Sequence, residues 1–222
     1  MLSAKNSLDG LFNNSTELCD SIIEKDDVNL LFHFTKIIVA TGAMYGFTMG
    51  LYNSVLQAFI SAIKVPSLFF VTLIICIPTL HFMGLFLGSK LRFIQSATIL
   101  LWAIAITSIL LAAFAPISLF FLMSHSSYNF IMLMHVVVFA ICGFAGLRYV
   151  KKNFHYVSSI IQSEQGSGTS RWILFVWMLL YMFVGCQMAY ILSPFVGNQS
   201  SLQWISSGEF NFFTYVLKLM MG

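Results

Sequence analysis

Acidic residues almost vanish from this chain after its first 27 positions. Six of the eight Asp and Glu (Asp9, Glu17, Asp20, Glu24, Asp26, Asp27) precede residue 28, and only Glu164 and Glu209 follow. No long apolar run contains a carboxylate. The chain therefore lacks the buried acid that couples proton or sodium transport, and the acids that an intramembrane aspartyl or zinc protease needs. Cys-x-x-Cys is also missing. Cys19, Cys76, Cys142 and Cys186 are scattered, three of them within apolar runs, and read as small buried hydrophobes rather than a disulfide or metal framework. There is no phosphate-binding P-loop, no Gly-x-Ser-x-Gly and no His-Glu-x-x-His. No block of basic residues interleaved with aromatics offers a nucleic-acid surface. The first 27 residues are polar and acidic, without the apolar core of a secretory signal.

Apolar residues are abundant instead. Of 222 residues, 59% are hydrophobic and only 9% charged, and the mean hydropathy is +0.87. Soluble domains carry about 25% charged residues, so a chain this poor in charge is expected to be an all-α, polytopic transmembrane helical bundle. A span needs about 20 apolar residues. Five stretches meet that length: Leu30–Leu51, Pro66–Leu87, Phe93–Met123, Tyr128–Tyr149 and Trp172–Val196. Tyr52–Ile63 and Glu209–Met221 are apolar but short, and are expected at the interface or in re-entrant bends. The organisation read from the sequence is a cytoplasmic acidic tail over 1–28, a five-helix bundle over 29–200 and an extracytoplasmic interfacial helix over 201–222. Basic residues set the orientation. With the N-terminus inside, Lys5, Lys25, Lys90, Arg92, Arg148, Lys151, Lys152 and Arg171 fall on the cytoplasmic side, against Lys64 and Lys218 outside.

Within the tail, Leu8, Leu11, Phe12, Leu18, Cys19, Ile22 and Ile23 form a helical apolar stripe opposite Asp9, Asn13, Glu17, Asp20 and Glu24. An acidic amphipathic helix is poorly suited to anionic lipid, which leaves an apolar footing on the membrane, a cytoplasmic partner, or packing against the chain's own loops. Gly42, Gly46 and Gly50 are spaced for close helix packing, and Gly143 and Gly146 give the fourth span a similar surface. The helix they receive lies in this chain or in another one.

Pro66, Pro116 and Pro194 all fall toward the outer ends of spans, with Gln187 and Phe195 near the last. Proline frees a backbone carbonyl, and in lipid such groups must be buried or face a wet cavity. Pro66, Pro116, Gln187, Pro194 and Phe195 are thus candidate lining residues of an outward vestibule; the plainer reading is helix-end prolines and an interhelical amide. Pro78 is expected to kink the second span. Histidine is the remaining ionisable group inside the spans. His81 and His135 differ by about 12 Å in expected depth, too far for shared haem ligation. An interhelical hydrogen bond suits these residues better than a metal. Lys36 can snorkel to the inner interface. No catalytic residues, cofactor or metal ligands emerge.

The run Gly185-x-Gln187…Leu192-x-Pro194-Phe195-x-Gly197, with Lys64-Val-Pro66 and Ala115-Pro116, resembles a family of uncharacterised bacterial polytopic inner-membrane proteins, loosely Yip1-like. The resemblance covers most of the chain from Gly42 onward. Where that family carries Arg before Pro-Phe, this chain has Ser193. The resemblance implies a helical bundle in a bacterial inner membrane and assigns no activity. Two roles remain as expectations. One is a non-enzymatic scaffold or accessory subunit that binds lipid and either another membrane protein or its own copies. The other is a channel or uncoupled carrier for a small or lipidic solute. An intramembrane enzyme using His81 or His135 is a third and weaker reading.

Overall fold

The computed structural model describes residues 28–86, 92–124, 127–161, 167–192 and 212–221. The amphipathic stretch expected at 8–23, and Pro194 and Phe195, lie outside the described residues. Within them there is no strand. The elements are α1 (Val28–Gly50), α2 (Val55–Phe86), α3 (Phe93–Met123), α4 (Tyr128–Ile161), α5 (Ser167–Ile191) and α6 (Phe212–Met221). The chain is an all-α membrane protein. Among the described residues four helices, α1 to α4, are long and apolar enough to cross a bilayer, and a shorter apolar helical stretch runs over Phe175–Ile191 of α5.

The second span departs from its expected bounds. Tyr52–Ile63 is no interfacial segment, and Pro66 does not open a helix. Ser54 Oγ accepts the Gln57 backbone N–H at 3.1 Å, a cap that starts α2 at Val55. The helix then continues through Lys64 and Pro66 to Phe86. The hydroxyls beside both prolines bond to their own helix, Ser67 donating to the Ile63 carbonyl at 2.8 Å and Thr79 to the Cys76 carbonyl at 2.9 Å. At the start of α3, Gln95 Oε1 accepts the Arg92 N–H at 3.0 Å.

The glycine seam closes inside the chain. A Cβ on Gly42 would lie 3.4 Å from the Pro66 ring, one on Gly46 would run into the Ser61 carbonyl, and one on Gly50 would lie 2.6 Å from the Ala58 Cα. The seam of α1 is therefore filled by α2. Gly146 likewise admits Thr107 and the Ala103 carbonyl of α3, whereas Gly143 and Gly185 face open space. α3 is the central helix, packed against α1, α2 and α4, while α5 rests mainly on α2, and α6 touches α4 and α5. Phe34, Ile38, Leu73, Leu100, Trp102 and Ile104 belong to one continuous apolar core. Trp177 docks α5, donating from Nε1 to Thr79 Oγ1 at 3.3 Å.

These contacts fix the helices in register along the bundle. Thr41 meets Ser108, Gly42 meets Pro66, and Gly146 meets Ala103 and Thr107. At 1.5 Å per residue, Lys36 of α1 and Arg148 of α4 share one level. From Arg148 to Tyr128 is about 30 Å, the thickness of a hydrocarbon core. In the other direction the bundle continues. Phe82 on α2 and Phe93 on α3 lie about 15 Å beyond the level of Arg148.

Candidate functional site

Most of the buried polar side chains of α1 and α2 gather in the half of the bundle that holds the α1–α2 turn. α1 brings Tyr45 and Thr48, α2 brings Gln57, Ser61 and Lys64, α3 brings Ser118 and α4 brings His135, and all of them are buried. At its centre the Tyr45 hydroxyl and His135 Nδ1 lie 2.8 Å apart, with the rings edge to face at 5.6 Å. Tyr45 also meets Phe139 edge to face, and Thr48 donates to the Tyr45 carbonyl at 2.7 Å. One turn along α1, Thr41 Oγ1 reaches both the Ile37 carbonyl at 2.7 Å and Ser108 Oγ at 2.9 Å. These bonds tie α1 to α3 and α4. Ser118 Oγ is buried beside the Tyr45 hydroxyl.

Lys64 is the least expected member. Read from the sequence as an external loop residue, it is 4% exposed inside a helix that otherwise crosses as apolar surface. A buried cation in a span is costly and usually marks a functional element. The early α2 start could have been read from Ser54-x-x-Gln57, which matches the Ser-x-x-Gln capping pattern. Tyr45 carried no such mark, because only folding brings His135 beside it.

The interhelical hydrogen bond expected of a span histidine falls to His135. His81 instead packs edge-on against Phe93 at 5.4 Å, joining the end of α2 to the start of α3. His33 lies beside Phe34, and its Nε2 is buried without a partner. Register separates His81 from His135 by about 30 Å, more than the sequence suggested, because α2 is one long helix. Among the described residues no three His, Cys, Asp or Glu come together as a metal site. The Tyr45–His135 pair joins α1 to α4.

The proposed vestibule residues that lie within the described structure, Pro66, Pro116 and Gln187, do not converge on one cavity. Pro66 is buried against Gly42, whereas Pro116 is exposed on α3. Gln187 is half-buried on α5. Judged from the Trp177–Thr79 contact, it lies about 15 Å from the level of Pro116. Its neighbours along the same face, Phe183 and Ile191, are exposed.

No protein-family model, no curated protein and no solved structure matches the chain.

Proposed function

We propose that this chain is a non-enzymatic integral membrane scaffold or accessory subunit of a membrane complex, belonging to the bacterial inner-membrane family it resembles. α1 begins on the cytoplasmic side, as the basic residues at that end favour. One observation carries the reading. Lys36, Arg148, Lys151 and Lys152 are exposed and mark the level where hydrocarbon ends. About 15 Å beyond that level, Phe82 is still 61% exposed and Trp172 69% exposed, with Phe93 and Leu85 beside them in depth. One flat bilayer cannot suit both sets of side chains. A protein surface that covers the apolar skirt formed by α2, α3 and α5 resolves the conflict, since contiguous exposed apolar patches outside lipid mark interaction sites. The cover is another membrane protein or a second copy of the chain. With its glycine seam already filled by α2, the bundle uses this skirt, and not the seam, to assemble.

A carrier for a small or lipidic solute is the second reading. Lys64 and the polar layer around Tyr45 and His135 favour it, because ionisable groups inside spans commonly mark solute paths. Native mass spectrometry after gentle extraction from the chain's own membrane separates the two. The scaffold reading expects a fixed stoichiometry with a second polypeptide or copy. A lone chain retaining a small solute would replace it with the carrier reading.

A further inference from the structure

One face of α3 is buried at its first half and open at its second. Thr98, Ile99, Trp102 and Ile106 share that face and are at most 4% exposed. Ala113, Ile117 and Phe120 continue it and are exposed. The contacts that seat α3 on its neighbours lie elsewhere on the helix. Ser108 meets Thr41 of α1, Ala103 and Thr107 meet Gly146 of α4, and Phe93 meets His81 of α2. At 3.6 residues per turn those four positions fall within a sector of about 140°, and Trp102 lies on the opposite side of the helix. In a single chain, what buries that side is another part of the same chain. The Thr41–Ser108 pair sets the register there. Val28, the first residue of α1, stands level with Gln95 of α3, so residues 1–27 join the bundle beside the buried half of this face. Other connections are poorly placed to reach it. Residues 87–91 and 162–166 are five residues each, and 125–126 lie at the other end of α3. Residues 193–211 join α5 to α6, which rest on α2, α4 and each other, on the side of the bundle away from Trp102.

We infer that the acidic segment before Val28 docks on this face, its apolar stripe of Leu8, Leu11, Phe12, Leu18 and Ile22 covering Thr98, Ile99, Trp102 and Ile106. Length and polarity both suit the pairing. As a helix the stripe from Leu8 to Ile23 spans about 22 Å, against about 17 Å from Gln95 to Ile106. With the stripe turned to α3, Asp9, Glu17, Asp20 and Glu24 on its other side are left to water. Of the three footings the sequence allows this stripe, the chain's own bundle is then the one used, and the segment is an internal partner of α3 rather than a hook for a second protein. The docking face is distinct from the apolar skirt and stands whether or not that skirt binds a partner.

The test replaces Phe12 in the full chain with a photo-activatable phenylalanine, a change close in shape to the native ring. After irradiation in the native membrane, peptide mass spectrometry locates the adduct. Docking on α3 predicts an intramolecular adduct between Gln95 and Ile106. An adduct to lipid, to a second polypeptide or to another helix of the chain would overturn the inference and assign the stripe to that neighbour instead. Hydrogen exchange gives an independent reading. The double substitution Leu11→Asp, Leu18→Asp puts charge into the stripe and should speed exchange of the Gln95–Ile106 amides at least about tenfold, since each buried Leu is lost from the contact. The Met132–Cys142 amides of α4 should keep their wild-type rates, and Leu11→Met, Leu18→Met should leave both stretches unchanged. Wild-type exchange over Gln95–Ile106 in the Asp variant would show that something other than this segment covers Trp102.

Discussion

Gly46→Leu should prevent the chain from forming a stable bundle, not merely a stable assembly. A Cβ at this position already collides with the Ser61 carbonyl on α2. That obstacle is backbone within a helix, so no rotamer change relieves it. Overpacking a close contact costs about 1–3 kcal/mol, and a whole Leu side chain driven against a helix backbone belongs at or above the upper end. The natural comparison is Gly143→Leu. Nothing lies within 4 Å of a Cβ there, so that variant should stay within about 0.5 kcal/mol of the parent. Unfolding of the two proteins in the same detergent, followed by Trp fluorescence, measures the difference. A Gly46→Leu chain that unfolds like the parent but loses its partner would show that the seam receives another chain.

Removing the Tyr45–His135 bond should give the second large effect. Both residues are buried, at 0% and 2% exposure. Tyr45→Phe leaves an imidazole nitrogen without its partner 2.8 Å away. Leaving a buried polar group unsatisfied costs about 1–3 kcal/mol. His135→Ala should cost at least as much, because it also removes the ring that Tyr45 meets edge to face. The double variant should cost less than the sum, with a coupling energy of about 0.6–1.7 kcal/mol, as for hydrogen bonds between membrane helices. Additive losses would mean that the two side chains are neighbours without a bond that matters.

The sequence allowed some of this to be read and concealed the rest. Apolar runs bounded by polar residues placed α3 at Phe93–Met123, and the structure has those same bounds. Run length set five long runs apart from the short Glu209–Met221 segment; among the described residues four of the five are helices long and apolar enough to cross, and the short segment holds the Phe212–Met221 helix. The boundary of α2 was obscured because Lys64 and Pro66 look like a loop when position in the bundle is unknown. In the fold, Pro66 is instead the group that fills the space left by Gly42. The spacing of Gly42, Gly46 and Gly50 announced a close approach, but spacing cannot say which helix approaches. Likewise, His135 needed a partner, and only tertiary register supplies Tyr45. Register also decides depth. Pro66, Pro116 and Gln187 share a leaflet when each span is measured from its own end, and separate once the helices are aligned by their contacts. The stagger that leaves Phe82 and Trp172 beyond the basic residues is likewise invisible span by span.

The most direct measurement places a photo-activatable aromatic residue at Phe82 and, separately, at Phe120, followed by cross-linking in the native membrane. Phe120 is 67% exposed near the opposite end of the bundle, where hydrocarbon should surround it. A protein whose apolar skirt is covered in a complex predicts a discrete polypeptide adduct from Phe82 and lipid adducts from Phe120. Lipid adducts alone from both positions would contradict the proposed assembly surface and show that the bilayer itself covers the skirt.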